Sequence, residues 1–423
     1  MITTINNKHK KLNFSSEREQ SQACLNSAEH EKNQGRKVLN VPNLRFKEFQ
    51  GEWEKCKLLK ICTFFSGGTP SSSNKDFYGG NIPFIRSGEL HADSTELFIT
   101  QAGFDSSSAK MVEIGDLLLA MYGATSGDIA VSKIKGAINQ AILCIRTKQN
   151  KKFIESVWNK HVSKNLRKYL QGGQGNLSAD IIKGISFSFP TLKEQEKIAN
   201  LVSLLDERIA TQNKIIEDLK KLKSAIIVEH YRQTEKNEVC VADLGNHFNV
   251  GNLAKDDLSE TGKPCIIYGE LFTTYGEIIS QIESHTNKTE GMILSKKGDL
   301  LFPSSTTVDA ISLIAPSVIN VDNVILGGDM FGIHISHNYN AQYLSYYFNH
   351  IAKKQLAKFA KGSTIIHLHY TDIEKAKLLL PSLEEQNRMA KCLVALDKKV
   401  SVEQDLLSSL TCQKSYLLQQ MFI

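Results

Sequence analysis

The sequence predicts an α+β protein built from two tandem globular domains, each a twisted β-sheet with short helices, separated by two long helices that form an antiparallel coiled coil. Three observations carry this. The chain repeats itself, each repeat closes on a stretch of about 40 residues without Gly or Pro, and both stretches carry a narrow apolar seam.

The repeat is plainest at its end, where PTLKEQEKIANLVSLLDERI from Pro190 aligns without a gap on PSLEEQNRMAKCLVALDKKV from Pro381. Pro190, Leu192, Glu194, Gln195, Ala199, Leu205 and Asp206 recur as Pro381, Leu383, Glu385, Gln386, Ala390, Leu396 and Asp397. Upstream, NIPFIRSGEL (81–90) pairs with GKPCIIYGEL (262–271), the GDLL at Gly115 with the GDLL at Gly298, and LRKYLQG ending at Gly172 with LAKFAKG ending at Gly362. The offset grows along the chain, so small insertions separate two copies of one unit. Each copy is a variable globular region followed by a helix.

The first seam reads Ile198, Val202, Leu205, Ile209, Gln212, Ile216, Leu219, Lys223 and Ile226; the second reads Met389, Leu393, Leu396, Val400, Glu403, Leu407, Leu410, Lys414 and Leu417. Alternating steps of three and four are the spacing of a coiled-coil stripe, narrower than the apolar face of a helix lying on its own domain. Both seams are interrupted at matching places, Gln212 with Glu403 and Lys223 with Lys414. An antiparallel pair centred between Ile216 and Leu219 sets Gln212 opposite Lys414 and Lys223 opposite Glu403, with Ile209 on Leu417 and Ile226 on Val400. About 30 overlapping residues at 1.5 Å each give a spacer of roughly 45 Å, comparable with one turn of duplex, about 34 Å.

These features divide the chain into a polar extension without apolar periodicity (1–38), expected to be disordered, a first globular domain (39–189), a first helical spacer (190–235), a second globular domain (236–380) and a second spacer (381–423). A hydrophobic content of 41% and 23% charged residues suit a multi-domain protein with a core in each half. The absence of a long apolar run or an apolar leader leads to the expectation of a cytoplasmic protein. Eight cysteines without a CxxC pair, several among apolar residues, read as buried reduced thiols and not as a disulfide or zinc framework. The net charge of +6 permits a polyanionic partner without requiring one.

The chain resembles the specificity subunit of type I restriction-modification enzymes over residues 41–423. The resemblance rests on the duplicated plan together with LRFKEFQGEWE, the GGTPS near residue 67, NIPFIRSGEL, GDLLLAMYGATSGDIAV and the helix openings FPTLKEQEKIA and LPSLEEQNRMA. It implies two target recognition domains, each reading one half of a split site in double-stranded DNA. The helices, 190–232 and 381–423, would set their spacing and dock two methyltransferase subunits, with motor-nuclease subunits completing the complex. It also implies a subunit without catalysis of its own: S-adenosylmethionine, ATP and Mg are expected on the partners, and no cofactor or metal on this chain. The extension before Val41 has no counterpart in the resemblance.

Base reading needs side chains that donate and accept at groove edges, and lysine or arginine to hold the backbone. In the first domain the candidates are Thr69, Ser71, Asn74 and Lys75 in GGTPSSSNKDFYGG, Arg86, Tyr122, Thr125 and Ser126 in MYGATSG, and Gln174 and Asn176 in QGGQGN. In the second they are Tyr268, Thr273, Thr274 and Tyr275 in YGELFTTYGE, Ser304, Ser305, Thr306 and Thr307 in PSSTTVD, and Lys358 and Lys361 before and within KGSTIIH. Arg86, Lys75, Lys358 and Lys361 are the phosphate candidates. The same residue types also favour ordinary turns, and the loops after the two GDLL strands stand out because both repeats place a short, hydroxyl-rich turn there with different residues. Other motifs take structural readings. NIPF has Ile82 where an amino-methyltransferase motif needs proline, and Gly262 replaces Asn81 in the second repeat, so it is read as a strand-edge proline. TGK at 261–263 lacks the upstream glycine of a phosphate loop, and His367 and His369 have no third ligand in sight. The rival readings are a stand-alone DNA methyltransferase and an interaction scaffold that does not read DNA.

Overall fold

The computed structural model describes residues 39–423 except 169, 172, 173 and 176, with side chains described outside 163–176. The expected extension, 1–38, lies outside the described residues. The chain forms two compact units, one running to Glu207 and including Cys412–Ile423, the other Arg208–Thr411.

In the first unit an antiparallel sheet of four strands runs in the order Cys62–Ser66, Ile142–Thr147, Leu117–Ala120, Ile129–Val131. A second sheet orders Phe98–Ile99, Tyr78–Ile85, Gly136–Ile138, Lys110–Val112, with Tyr78–Ile85 parallel to Gly136–Ile138. A two-stranded ribbon, Glu54–Lys57 with Ser186–Phe189, closes the domain just before its long helix. The strands read as unbroken apolar runs where both faces are covered: Leu117, Leu118, Leu119 and Ala120 have no exposed surface. The core around Trp53, Phe153, Trp158 and Phe187 takes in Ile198 and Val202 from the first long helix and Met421 and Phe422 from the second.

The second unit repeats this plan. Gly245–Asn249, Met330–Ile335, Asp299–Pro303 and Ser317–Ile319 adopt the same order, extended by Ile278–Ile279. Lys263–Ile267 is parallel to Ile325–Gly327 in the second sheet, and Asn237–Cys240 pairs with Lys377–Leu380 ahead of the helix. The NIPF proline sits in an inner strand, not at an edge: Tyr78–Ile85 lies between Phe98–Ile99 and Gly136–Ile138. Pro83 pairs with Phe98, and pairing with Gly136–Ile138 begins only at Phe84, so the residue without an N–H stands where that second ladder has not yet started; a register shift lies upstream, between Tyr78 and Ile82.

The shared motifs have shared jobs. Gln195, 1% exposed, donates through Nε2 to the Pro190 carbonyl at 2.9 Å and accepts from the Asn150 backbone N–H at 3.1 Å. Gln386, also 1% exposed, does the same with Pro381 at 2.9 Å and Asn340 at 3.0 Å. Each glutamine thus ties the start of a long helix to the capping residue of the domain helix, because Asn150 and Asn340 accept in turn from Phe153 and Tyr343 N–H. In the GDLL turns Gly115 and Gly298 have φ +88° and +93°, which favours glycine. Asp116 and Asp299 reach back to the N–H groups of Glu113 and Lys296. The glutamates of SGEL and YGEL cap three residues upstream, Glu89 on Arg86 N–H and Glu270 on Ile267 N–H.

The long helices are Leu192–Gln233 and Leu383–Met421, and every seam position of both is buried or half-buried. In the second unit Gln212 Nε2 donates to the Glu403 carbonyl (3.0 Å), Lys223 Nζ pairs with Asp397 (2.7 Å) and His230 with Glu385 (2.8 Å), so the helices are antiparallel. In the first unit Asp206 pairs with Lys414 at 2.5 Å. The expected register is corrected: Gln212 meets Glu403 and not Lys414, and Lys223 meets Asp397 and not Glu403, shifts of 11 (414 to 403) and 6 (403 to 397) residues, or about two to three turns. The physical reason lies outside the seam. The glutamine clamps fix each helix start, and Met421 and Phe422 are buried in the first domain's core, so anchors at the ends set the slide.

Candidate nucleic-acid interface

In the first domain the GGTPSSSNKDFYGG segment is a turn held by its own side chains. Thr69 Oγ1 donates to Gln140 Oε1, Ser71 and Ser73 share a hydrogen bond of 2.7 Å, and Asn74 Oδ1 accepts from Asp76 N–H at 3.1 Å. Lys75 is exposed and forms no ion pair among the described residues. In the loop after Leu117–Ala120, Tyr122 is 38% exposed with its hydroxyl donating to the Gln140 carbonyl, and Ser126 Oγ donates to the Met121 carbonyl. Gln140 therefore joins the two loops. Thr125 is half-buried. The Gln174 side chain and Asn176 lie outside the described residues.

Arg86 takes a different position from a free phosphate contact. Its guanidinium is held by Glu89 and Glu96, and Glu89 is the more constrained partner. Burial would raise the Glu89 carboxyl, but the Arg86 guanidinium and the Arg86 and Glu96 backbone N–H groups outweigh it and hold it at about 2. The pair is a strut under the loop 86–96.

In the second domain two candidate loops are joined as a ribbon: Ser305–Thr306 pairs with Ile366–His367, and the Leu368 N–H donates to the Ser304 carbonyl at 2.9 Å. This pairing withdraws Ser304 and Ser305, 4% and 6% exposed, from the surface. Thr306 is half-buried and Thr307 exposed at the tip. Tyr268, Thr273 and Thr274 are exposed, Thr273 Oγ1 donating to the Gly269 carbonyl, and the half-buried Tyr275 hydroxyl accepts from Glu283 N–H. Lys358 is exposed without an ion pair, whereas Lys361 is tied to Asp372. The His367 and His369 rings lie 6.1 Å apart, and no group of three metal-ligating side chains forms among the described residues.

The type I restriction modification DNA specificity domain, as a family, matches residues 50–221 and again 234–411, one match per repeat. The chain belongs to this specificity family. Among curated relatives, the type I restriction enzyme MjaVIII specificity subunit of Methanocaldococcus jannaschii is 22% identical over 394 residues, covering 85% of this chain and 90% of the relative. The specificity fold extends to solved structures. The S subunit of a type I restriction-modification system from M. genitalium superposes with a TM-score of 0.59 at 16% identity, covering 90% of this chain and 99% of that one. A chain from a study of assembly and conformational transition of the type I R-M system gives 0.55 at 15% identity, with 87% and 97% coverage. No helix among the described residues is long and apolar enough to cross a membrane.

Sequence reasoning did not single out Phe272, Val308, Ile311 or Lys353 of this specificity chain. Phe272, Val308 and Ile311 are 37%, 72% and 46% exposed. A polar-residue search passes over apolar side chains, and only their exposure beside the joined loops marks them. Three cysteines, Cys62, Cys144 and Cys265, are buried as expected, but Cys392 and Cys412 are exposed on the second long helix.

Proposed function

We propose that this chain is the sequence-reading, non-catalytic subunit of a type I restriction-modification complex. Each globular domain reads one half of a bipartite site in double-stranded DNA, and the helix pair docks two methyltransferase subunits, through which motor-nuclease subunits join. The observation that carries the reading is duplication with local divergence. Two domains of one plan keep the same glutamine clamps, glycine turns and strand order, and differ in the loops after their GDLL strands, MYGATSG and PSSTTVD. A common frame with different loops is what two different half-sites call for.

S-adenosylmethionine, ATP and Mg belong, in this reading, to the partner subunits. The sequence offers no glycine-rich phosphate loop of its own, and the acids and amides shared by its two repeats are engaged in clamping. The docking surface is the flank of the helix pair that faces away from the domain. In the second unit Ser224, Ile227, Ala390 and Asp397 turn toward the domain, whereas Ile215, Leu222, Val402 and Leu406, at 39%, 47%, 60% and 39% exposure, share the other side. Exposed apolar side chains aligned at helical spacing fit a helical partner.

Methylome sequencing of cells carrying this chain with its methyltransferase tests the function. A split motif with an unread gap, present only when this chain is present, is the expected result. A contiguous motif, or one unchanged when the chain is deleted, would overturn it.

A further inference from the structure

A cavity of about 530 Å³ opens in the second domain between its candidate loops, with Leu271 and Phe272 on one loop, Val308 on another, and Ala315 and Pro316 beside them. Its size is that of a small-ligand site. Several polar groups lining it are already engaged, whereas the Thr306 and Tyr275 hydroxyls accept from Val308 and Glu283 N–H and keep their protons free to donate. Ser317 Oγ donates to the Gly276 carbonyl, Asn349 Nδ2 donates to the Pro316 and Ser345 carbonyls, and the Glu277 carboxylate accepts from Lys223 and His350. What is left for a ligand is mostly apolar surface, two hydroxyl donors and one cation: Lys353 lines the cavity and has no ion pair within contact distance among the described residues, with the Asp309 carboxylate in its electrostatic neighbourhood. Phe272 and Val308 are 37% and 72% exposed, which leaves apolar area free to be covered.

Free apolar surface beside a lysine without a contact ion pair matches one feature of a duplex. Thymine alone among the bases carries a methyl group on its major-groove edge, and apolar side chains read it, while lysine takes the phosphate. We propose that this cavity is the thymine-reading element of the second domain: the 5-methyl group of one thymine in its half-site packs against Phe272 and Val308, and Lys353 takes a neighbouring phosphate. The inference rests on the reading of the second domain as a DNA reader and names one base within it.

The test uses the full chain co-purified with its methyltransferase subunit, and duplexes of the methylated motif in which each thymine is replaced in turn by uracil, which removes only the methyl group. Uracil at one position should weaken binding about fourfold, the value of one buried methyl-sized group. Val308→Ser, at a side chain too exposed to matter for folding, should abolish the thymine-over-uracil preference at that position alone. Lys353→Gln should instead weaken binding to all sequences and flatten its salt dependence. Equal affinity for thymine and uracil at every position, or a uracil effect that Val308→Ser leaves intact, would overturn the inference while leaving DNA reading in place. Loss of all sequence-dependent binding by the unmodified complex would overturn both.

Discussion

Lys223 on the first long helix holds Asp397 on the second at 2.7 Å, and with the helices exchanged Lys414, 191 residues after Lys223, holds Asp206, 191 residues before Asp397, at 2.5 Å. The two bonds are counterparts, yet they sit in different surroundings. Lys223 is 9% exposed and also bonds Glu277, whereas Lys414 is 31% exposed. Lys223→Ala leaves two carboxylates facing a nearly closed site and should cost about 3 kcal/mol. Lys414→Ala should cost no more than about 1 kcal/mol. Differential scanning calorimetry of the two variants checks the asymmetry.

Glu277 makes the second unit sensitive to acid. Burial would raise its carboxyl, but the His350 hydrogen bond and the Lys223 ammonium hold it at about 2, against an ordinary 4.5. A carboxyl depressed in the folded state stabilises fully above its unfolded value, and that stability is lost as pH falls toward the folded value. The window is therefore about pH 4.5 down to 2, and the loss is at most about 3 kcal/mol. Glu277→Gln should flatten the pH dependence of denaturation over this window.

Gln195 and Gln386 make the same two bonds at the same places, so their removal should have similar effects. Gln195→Ala and Gln386→Ala each leave a buried proline carbonyl and an asparagine N–H without their partner, at about 1 to 3 kcal/mol apiece. The two clamps belong to different units and use different partners, so urea denaturation of the double variant should give close to the sum.

The register can be trapped covalently. With Cys392 and Cys412 replaced by serine, Gln212→Cys paired with Glu403→Cys should form a disulfide under mild oxidation, since Gln212 already reaches the Glu403 carbonyl. Ile216→Cys with Leu410→Cys should not. Gel mobility without reductant reads the outcome.

The open flank of the helix pair should be needed for assembly and dispensable for folding. Ile215→Glu combined with Leu406→Glu places charge on side chains 39% exposed in both cases. Co-purification of the methyltransferase should fall at least tenfold while the melting temperature of the chain stays within a few degrees.

The sequence by itself determined the duplication, the α+β plan, the two long helices and the residues of their seam. These are local properties: apolar spacing reports which face of a helix is covered, and a repeated motif reports a repeated job, as with Pro190 and Gln195 against Pro381 and Gln386. The sliding position of one helix along the other was decided by tertiary structure alone. A seam of similar apolar residues fits itself at several offsets, and the charges at Lys223 and Lys414 found partners, Asp397 and Asp206, that flank the seam instead of lying in it. The same holds for the reading loops. Ser304 and Ser305 have the composition of a free polar turn, but pairing with Ile366 and His367 buries them, while Phe272, Val308 and Lys353 reach a common cavity from three separate segments. Composition names the side chains a loop can offer, and only the packing of distant segments decides which of them remain uncovered.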